Sequence, residues 1–109
     1  MYFYNPDERQ AKELAPGINA KTFWGKKMLA AVVDLDANVH LPRHSHPHEQ
    51  MGIVIEGQIE FVVADQKKVL NPGDVYFIPG DVEHEARTFD YPVKVMDVFS
   101  PVREEYKYS

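Results

Sequence analysis

Three histidines, a glutamate and a glutamine are crowded into the segment HSHPHEQ, residues 44–50. Neutral imidazole nitrogens, together with amide or carboxylate oxygens, are typical ligands of divalent transition metals in proteins. Because buried polar atoms need partners, His44 and His46 are explained more readily as metal ligands than as ordinary core residues. His48 is expected at the rim of such a site or behind its ligands, and His40 is expected at the surface.

The alternation of side chains along a β-strand sorts the polar groups of this segment. If residues 44–50 form one unbroken strand, the histidines and Gln50 share one face and Glu49 points to the other. Parity therefore favours Gln50 over Glu49 as an oxygen ligand. Pro47 cannot donate to a β-ladder, so a bend at this position would change the pattern.

A buried carboxylate is predicted further along the chain. Asp97 lies inside an apolar run and shares its parity with Val95 and Phe99. A carboxylate on an inward face is unfavourable unless it is paired or functional. The alternatives to a functional role are an ion pair with Arg87 or Arg103, or an outward-facing strand.

The elements that must position these residues are short apolar runs separated by turns, a pattern typical of an all-β sandwich or barrel. NPGD, residues 71–74, predicts a type II turn because Pro72 fixes φ at the second position and Gly73 allows a positive φ at the third. DQKK, residues 65–68, predicts another turn, and only Asp7–Leu14 has a helical pattern, of one or two turns at most. We therefore predict one small β-barrel.

Composition narrows the possible functions. The chain has 109 residues, which predicts a single domain, and a formal charge of −5, which argues against nucleic-acid binding. It has no cysteine, so disulfides and thiolate metal sites are excluded. No apolar run approaches the roughly 20 residues that span a bilayer, and the first residues have no signal-peptide pattern, so we expect a cytoplasmic protein without membrane contact.

Two spaced patterns in the sequence resemble the motifs of the cupin superfamily. The first, H-x-H-x3-Q-x6-G over residues 44–57, has Gln50 where the family has glutamate. The second, G-x5-P-x-D-x2-H-x3-T over residues 73–88, has Asp81 in place of glycine and Thr88 in place of asparagine. Two patterns that agree in spacing indicate both a fold and a metal site.

The resemblance implies an all-β fold: a single cupin domain over residues 1–109, a jelly-roll barrel (double-stranded β-helix) whose motifs occupy about residues 38–88. It also implies one divalent transition metal: zinc, nickel, manganese or iron. The metal ligands that the motifs imply are His44, His46, Gln50 and His84.

Glutamine in place of the motif's glutamate changes the electrostatics of the implied site. Three neutral imidazoles and a neutral amide leave the full charge of a divalent ion uncompensated, whereas a carboxylate would remove one unit of it. A less neutralised ion is a stronger Lewis acid and favours an anionic substrate, although it is bound more weakly. The alternative is that Gln50 is a tolerated substitute without functional consequence.

Over nearly its full length the sequence is similar to small cupins of the pectin-degradation (KdgF) type, through the segments MYFYN, PHEQMGIVIEG and DVFSPVRE. The resemblance implies an enzyme that converts 4,5-unsaturated uronate monosaccharides, the products of pectin and alginate lyases, to open-chain keto forms. It implies an active site with Asp97 as general acid and base, Arg103 holding the substrate carboxylate, and Phe99 walling the site.

Other functions are compatible with the same residues. The chain could be a metal-dependent dioxygenase, an isomerase or epimerase of another sugar acid, or a non-catalytic module that binds a small ligand. The expected partners are a small anionic substrate and a second copy of the chain, because cupins are commonly dimeric and aromatic residues are frequent near the N-terminus. The alternative is that these aromatics only cap the barrel; they are Tyr2, Phe3, Tyr4, Phe23 and Trp24.

Overall fold

The computed structural model describes residues 2–109, which form ten β-strands in two sheets. The strands are β1 (Lys12–Ala15), β2 (Ile18–Trp24), β3 (Leu29–Leu35), β4 (His40–His44), β5 (Glu49–Glu56), β6 (Ile59–Val63), β7 (Gln66–Leu70), β8 (Val75–Ile78), β9 (His84–Thr88) and β10 (Val93–Ser100). One sheet has six strands in the order β1-β2-β3-β10-β5-β8, and the other has four in the order β4-β9-β6-β7. The paired strands are antiparallel, and the predicted all-β fold is confirmed.

Alternating burial along the strands explains why the two sheets enclose one interior. Every second residue of β3 and of β10 is buried, and these strands lie side by side in the six-stranded sheet. The four-stranded sheet contributes Ile59, Phe61 and Ala86 to the same hydrophobic core. Full burial of one large aliphatic or aromatic side chain stabilises the fold by about 1.5–3 kcal/mol, so this alternation fixes which face of each strand points inward.

Glycines provide two of the turns that the motifs contain. Gly73 has a φ of +93°, and the amide of Asp74 donates to the carbonyl oxygen of Asn71 at 2.9 Å, so the turn predicted at residues 71–74 is present. Gly57, the last residue of the first motif, has a φ of +81°, a region that side chains with a Cβ rarely occupy.

The helical prediction near the N-terminus is wrong. Residues Pro6–Glu8 form a single 3₁₀ turn, and the chain then enters β1 instead of continuing as a helix. The helical hydrogen bonds give way because Lys12–Ala15 pairs with β2 as an edge strand. Within residues 2–109, no helix is long and apolar enough to cross a membrane.

The turn predicted at residues 65–68 is shorter than expected. Ala64 and Asp65 form it, with a φ of +54° at Ala64, and β7 begins at Gln66. β7 lies at the edge of the four-stranded sheet and is mostly exposed. Lysines on such a strand discourage edge-to-edge pairing, so the doublet at residues 67–68 marks an edge strand instead of a turn.

The C-terminal tail after β10 is fixed to the barrel by hydrogen bonds. Thr22 Oγ1 donates to the carbonyl oxygen of Tyr106 at 2.6 Å, and a nitrogen of the Arg9 guanidinium donates to that of Tyr108 at 2.7 Å. The hydroxyl of Tyr108 donates to the carbonyl oxygen of Gln10 at 2.6 Å. These bonds hold Arg103 and Tyr106 of the tail against the central cavity.

Candidate metal centre and active site

The segment with three histidines does not form one unbroken strand, and the bend considered at Pro47 is present. β4 ends at His44 in the four-stranded sheet, and β5 begins at Glu49 in the six-stranded sheet. Residues 45–48 bend between the two sheets, and Pro47 lies in the bend. His46 and Gln50 are nevertheless buried and Glu49 is exposed, so the bend preserves the convergence that parity predicted.

Three histidines converge inside the barrel. His84, the first residue of β9, is paired in register with His44, the last residue of β4, and their rings lie 4.3 Å apart. The ring of His46 lies 5.0 Å from that of His84. The nitrogen atoms that these three side chains offer all lie within 4.8 Å of one another, close enough to hold a single metal ion.

Backbone carbonyl groups fix the tautomers of these histidines. Nδ1 of each ring faces a carbonyl oxygen two residues away, and a carbonyl oxygen can only accept a hydrogen bond. The three donations are from His44 to Pro42 at 2.8 Å, from His46 to His48 at 3.0 Å, and from His84 to Val82 at 2.9 Å. Each Nε2 atom therefore keeps its lone pair, as in metal-binding histidines whose other nitrogen is bonded to the protein.

Burial keeps two of these rings neutral. Desolvation lowers the pKa of His84 to about 4, with smaller opposing and reinforcing effects from its neighbours. Desolvation, followed by the charge of Arg103, also lowers the pKa of His46. A neutral imidazole is the form that binds metals, so these side chains are ready to act as ligands near neutral pH.

Gln50 brings an oxygen atom to the same point. Its Oε1 lies 3.0 Å from Nε2 of His46. The neutral imidazole of His46 has one N–H for two acceptors, the carbonyl oxygen of His48 and Oε1 of Gln50, so one contact is unfavourable without a cation. A divalent metal held by these side chains would resolve this conflict, and the donor set fits one.

The loop before β9 supports the bend that carries His46. The amide of Asp81 donates to the carbonyl oxygen of His46 at 2.8 Å. Asp81 has a φ of +66°, which explains why glycine is usual here and why aspartate, tolerant of this region, can replace it. A Cβ at Gly80 would overlap the carbonyl oxygen of Pro47, so the loop and the bend pack closely together.

Asp97 points into the barrel, as its parity predicted. Its partner is neither of the arginines considered from the sequence: Tyr76 donates a hydrogen bond to its Oδ1 at 2.5 Å. Arg87 instead donates to Glu60 at 2.8 Å. Desolvation raises the pKa of Asp97 to about 6, against the opposing effects of hydrogen bonds from Tyr76 and Gln50 and of the charge of Arg103. A carboxyl group in this range can both accept and release a proton.

Arg103 supplies a largely buried positive charge whose nearby carboxylate, that of Glu105, does not hydrogen-bond to it. Its side chain is 13% exposed, and its Nε lies 3.6 Å from Glu105, too far for a hydrogen bond. The guanidinium lies 4.0 Å from the ring centre of Tyr106 and 5.1 Å from that of Phe99. Stacking between two aromatic rings holds the cation at the cavity, where it can bind an anion.

The residues of the site line one cavity of about 110 Å³. Apolar side chains of both sheets surround the rest of it, including Leu41, Ile59 and Val95. Its polar lining is formed by His44, Gln50, His84, Asp97 and Arg103. Two histidines, an amide, a buried carboxyl group and a cation therefore line one largely apolar chamber.

A larger groove of about 590 Å³ lies on the surface between the N-terminal segment and the C-terminal tail. Its main cation, Arg9, already donates to the carbonyl oxygens of Thr22 and Tyr108 and stacks on the ring of Tyr108. None of the five histidines of the chain lines this groove. The inner cavity, although smaller, is where the reactive groups meet.

The other two histidines lie outside the ligand group. His40 is exposed on β4 and its Nε2 lies 3.2 Å from Glu85. His48 is half-buried beside His46, and its carbonyl oxygen accepts the hydrogen bond that orients the ring of His46. His48 therefore acts on the site through its backbone.

Sequence reasoning missed Tyr76 and Tyr106. Tyr76 shares its parity with the buried Ile78, and Gly52 interrupts the opposing strand, a pattern that can mark a close approach. No comparable pattern marks Tyr106, because its place beside Arg103 depends on how the tail folds back.

Comparison with known proteins agrees with the fold described above. The family model described as the cupin domain matches residues 31–99. The pectin degradation protein KdgF of Dickeya dadantii is 26% identical over 106 residues, which cover 95% of this chain and 96% of that protein. The solved structure of KdgF from Halomonas sp. has a TM-score of 0.91 and 28% identity, and the match covers 98% of this chain and 99% of that one. The dimethylsulfoniopropionate lyase DddQ of Ruegeria pomeroyi is 34% identical over 71 residues, 64% of this chain but 35% of that protein.

Proposed function

The chain belongs to the cupin family, and we propose that it is a metal-dependent enzyme that converts 4,5-unsaturated uronate monosaccharides to open-chain keto forms. The full-length similarity to pectin degradation proteins supports this choice of substrate. The observation that carries the proposal is the buried carboxyl group of Asp97, which shares one cavity with His44, His84 and Arg103.

The ligands of the ion would be His44, His46, His84 and Gln50. A divalent metal bound there would act as a Lewis acid toward oxygen atoms of the substrate. The amide of Gln50 leaves the ion's charge uncompensated, which favours an anionic substrate. The identity of the metal stays open among zinc, nickel, manganese and iron.

Asp97 would move the proton in the reaction. When the hemiacetal ring opens, the bond between C1 and the ring oxygen breaks and the proton of the C1 hydroxyl passes to that oxygen, which leaves an aldehyde at C1 and an enol at C5. The enol becomes a ketone as the proton of its hydroxyl is lost and C4 gains one, so atoms balance without another reactant. Asp97 would deliver the proton to C4, and Phe99 beside it would exclude water.

The direct test follows the loss of ultraviolet absorbance of a 4,5-unsaturated monouronate, because the conjugated double bond disappears. We expect the purified, metal-loaded protein to accelerate this loss over the spontaneous reaction, and a chelator to remove the acceleration. Adding a divalent metal back to the chelator-treated protein should restore the acceleration. A metal-loaded protein without any acceleration would contradict the proposed substrate.

The remaining alternatives would separate in the same set of measurements. Oxygen consumption with an iron-loaded sample would indicate a dioxygenase. Turnover of another sugar acid would indicate a different isomerase or epimerase. A metal-loaded protein that binds sugar acids without turnover would indicate a binding module.

Arg103 would hold the substrate carboxylate, for which its planar group is suited. Replacing Arg103 with alanine should raise KM by about 10–100-fold, because hydrogen bonds to charged groups contribute about 1.5–3 kcal/mol. Arg103→Lys should recover only part of the loss, since an ammonium group lacks the paired donors. Steady-state kinetics on the uronate measure both.

The matched control for Arg103 is Arg87→Ala. Arg87 is bonded to Glu60 and does not line the central cavity, so its removal should leave KM unchanged. An unchanged KM in Arg103→Ala would remove Arg103 from substrate binding.

The homodimer stays a prediction, as does the cytoplasmic location. Tyr2 and Phe3 are almost fully exposed, and Tyr4 packs on Phe23 of the same chain at 5.2 Å between ring centres. The N-terminal aromatics therefore present an apolar surface that a second copy of the chain could cover.

A further inference from the structure

Three neighbouring strands place Tyr76, Gly52 and Asp97 in one row across the six-stranded sheet. Gly52 of β5 is paired in register with Tyr76 of β8 on one side and with Asp97 of β10 on the other. Residues that are paired in this way point to the same face of a sheet, here the interior. Neighbouring strands lie about 4.8 Å apart, so the backbones of Tyr76 and Asp97 are separated by about 10 Å.

The absence of a side chain at Gly52 makes the contact between Tyr76 and Asp97 possible. A Cβ at this position would overlap Cζ and the hydroxyl of Tyr76 as well as Oδ1 of Asp97. The φ of Gly52 lies outside the region that requires glycine, so the residue is needed for space and not for its backbone conformation. The phenol lies across β5 in the room that Gly52 leaves.

The opposite sheet holds the phenol of Tyr76 in this position. The ring of Phe61, on β6, lies 4.3 Å from the ring of Tyr76. Tyr76 is thus packed between the backbone at Gly52 and an aromatic ring. Burial, followed by the nearby Asp97, raises the pKa of Tyr76 well above its usual value, so the hydroxyl remains a donor.

The hydrogen bond from Tyr76 occupies one of the two carboxylate oxygens of Asp97. The acceptor is Oδ1, whereas Asp97 itself lines the central cavity. Tyr76 does not line that cavity, so it cannot touch a substrate there. The amide of Gln50 also hydrogen-bonds to the carboxylate of Asp97. The oxygen that Tyr76 does not occupy is Oδ2.

We infer that Tyr76, lying across Gly52, is a positioning residue that fixes the orientation of the Asp97 carboxylate and directs Oδ2 to the reacting carbon. The inference rests on the proposed role of Asp97 in proton transfer. It assigns a function to Tyr76 and Gly52, neither of which is a proposed metal ligand. It also explains why β5 has a glycine in its interior.

The kinetic test is Tyr76→Phe, which removes the hydroxyl and keeps the ring. We expect kcat to fall by about 10–100-fold, the range in which small misplacements of catalytic groups act, with KM and metal content unchanged. In an Asp97→Asn background, Tyr76→Phe should cause no further loss. If Tyr76→Phe lowers kcat in the Asp97→Asn background by as much as it does in the wild-type protein, the inference is overturned.

Two further variants complete the kinetic test. Gly52→Ala should reproduce the defect of Tyr76→Phe, because the added methyl group displaces the phenol. Tyr91→Phe is the matched control, since Tyr91 is 77% exposed, and it should leave kcat unchanged. Wild-type kcat in both Tyr76→Phe and Gly52→Ala would also overturn the inference.

A stability measurement separates this inference from the proposed function. In a double-mutant cycle of Tyr76→Phe and Asp97→Val, we expect coupling of about tenfold or more in the unfolding equilibrium constant. If the cycle shows coupling and the wild-type protein does not turn over the uronate, the proposed substrate is contradicted and the contact between Tyr76 and Asp97 is supported. Absence of coupling would overturn the contact, whatever the substrate.

Discussion

Replacing Asp97 with asparagine should lower turnover of a 4,5-unsaturated uronate by about 10²–10⁴-fold, the usual contribution of general acid–base catalysis. The amide has nearly the shape of the carboxyl group but cannot take up and release a proton. Tyr76 can still donate to the amide oxygen, so the packing of the interior should be kept. Metal content should also be unchanged, because the proposed ligands are His44, His46, His84 and Gln50 and not Asp97.

The control for this substitution is Asp34→Asn. Asp34 lies on the neighbouring strand β3 but points outward, 3.9 Å from Lys94, so its loss should leave turnover unchanged. Metal analysis of each variant accompanies the kinetics. Retained activity in Asp97→Asn would remove Asp97 from proton transfer, and loss of the metal would assign it a role in holding the ion.

Strand parity predicted the inward direction of Asp97 because β10 is regular. Its residues alternate between buried and half-buried from Val93 to Phe99, so counting in steps of two gives the right face. Motif spacing likewise predicted that His84 points inward, and His84 is buried at the start of β9. Local periodicity therefore predicts direction wherever a strand is not interrupted.

Periodicity could not predict the bend at residues 45–48, because the bend depends on pairing with distant strands. β4 pairs with β9, whereas β5 pairs with β8 and β10, so the chain must cross between sheets after His44. His46 and Gln50 are buried, as the parity argument predicted, although residues 44–50 do not form one unbroken strand. The convergence of His46 with the other ligands is a result of tertiary structure, which the motif spacing captures and strand alternation does not.

The partner of Asp97 was likewise set by long-range register. Tyr76 lies 21 positions earlier in the sequence and two strands away, and it reaches the carboxylate only across Gly52. An ion pair with an arginine was the alternative to a functional role, but Arg87 points away from the interior and Arg103 lies beside aromatic rings. The hydrogen bond from Tyr76 satisfies Asp97 with a neutral donor.

The same geometry offers a second explanation for glutamine, in place of glutamate, at position 50 of the first motif. Oε1 of Gln50 faces His46, and a hydrogen bond from the Gln50 amide is among the effects that lower the pKa of Asp97. A glutamate in this position would place a second negative charge beside Asp97. Like charges at about 4 Å repel by about 4 kcal/mol at an effective dielectric constant of 20, so glutamine avoids a repulsion that glutamate would bring to the buried carboxyl group of Asp97.

The second large effect is expected for His84→Ala. Removing one of the three proposed imidazole ligands should weaken metal binding by at least about 100-fold. Loss of a group that only hydrogen-bonds to a metal ligand already lowers metal affinity by about 10–100-fold. Turnover of the uronate should then fall to the spontaneous rate at metal concentrations that saturate the wild-type protein. Metal titration and the ultraviolet assay measure the two losses separately.

The chain offers a closely matched control in His40→Ala. His40 and His84 are each the first residue of a strand in the four-stranded sheet, but His40 is exposed beside Glu85 and His84 is buried in the barrel. Metal affinity and turnover should therefore be unchanged in His40→Ala. Thermal unfolding of the metal-free proteins distinguishes loss of a ligand from loss of the fold, and wild-type metal affinity in a folded His84→Ala variant would remove His84 from the ligand set.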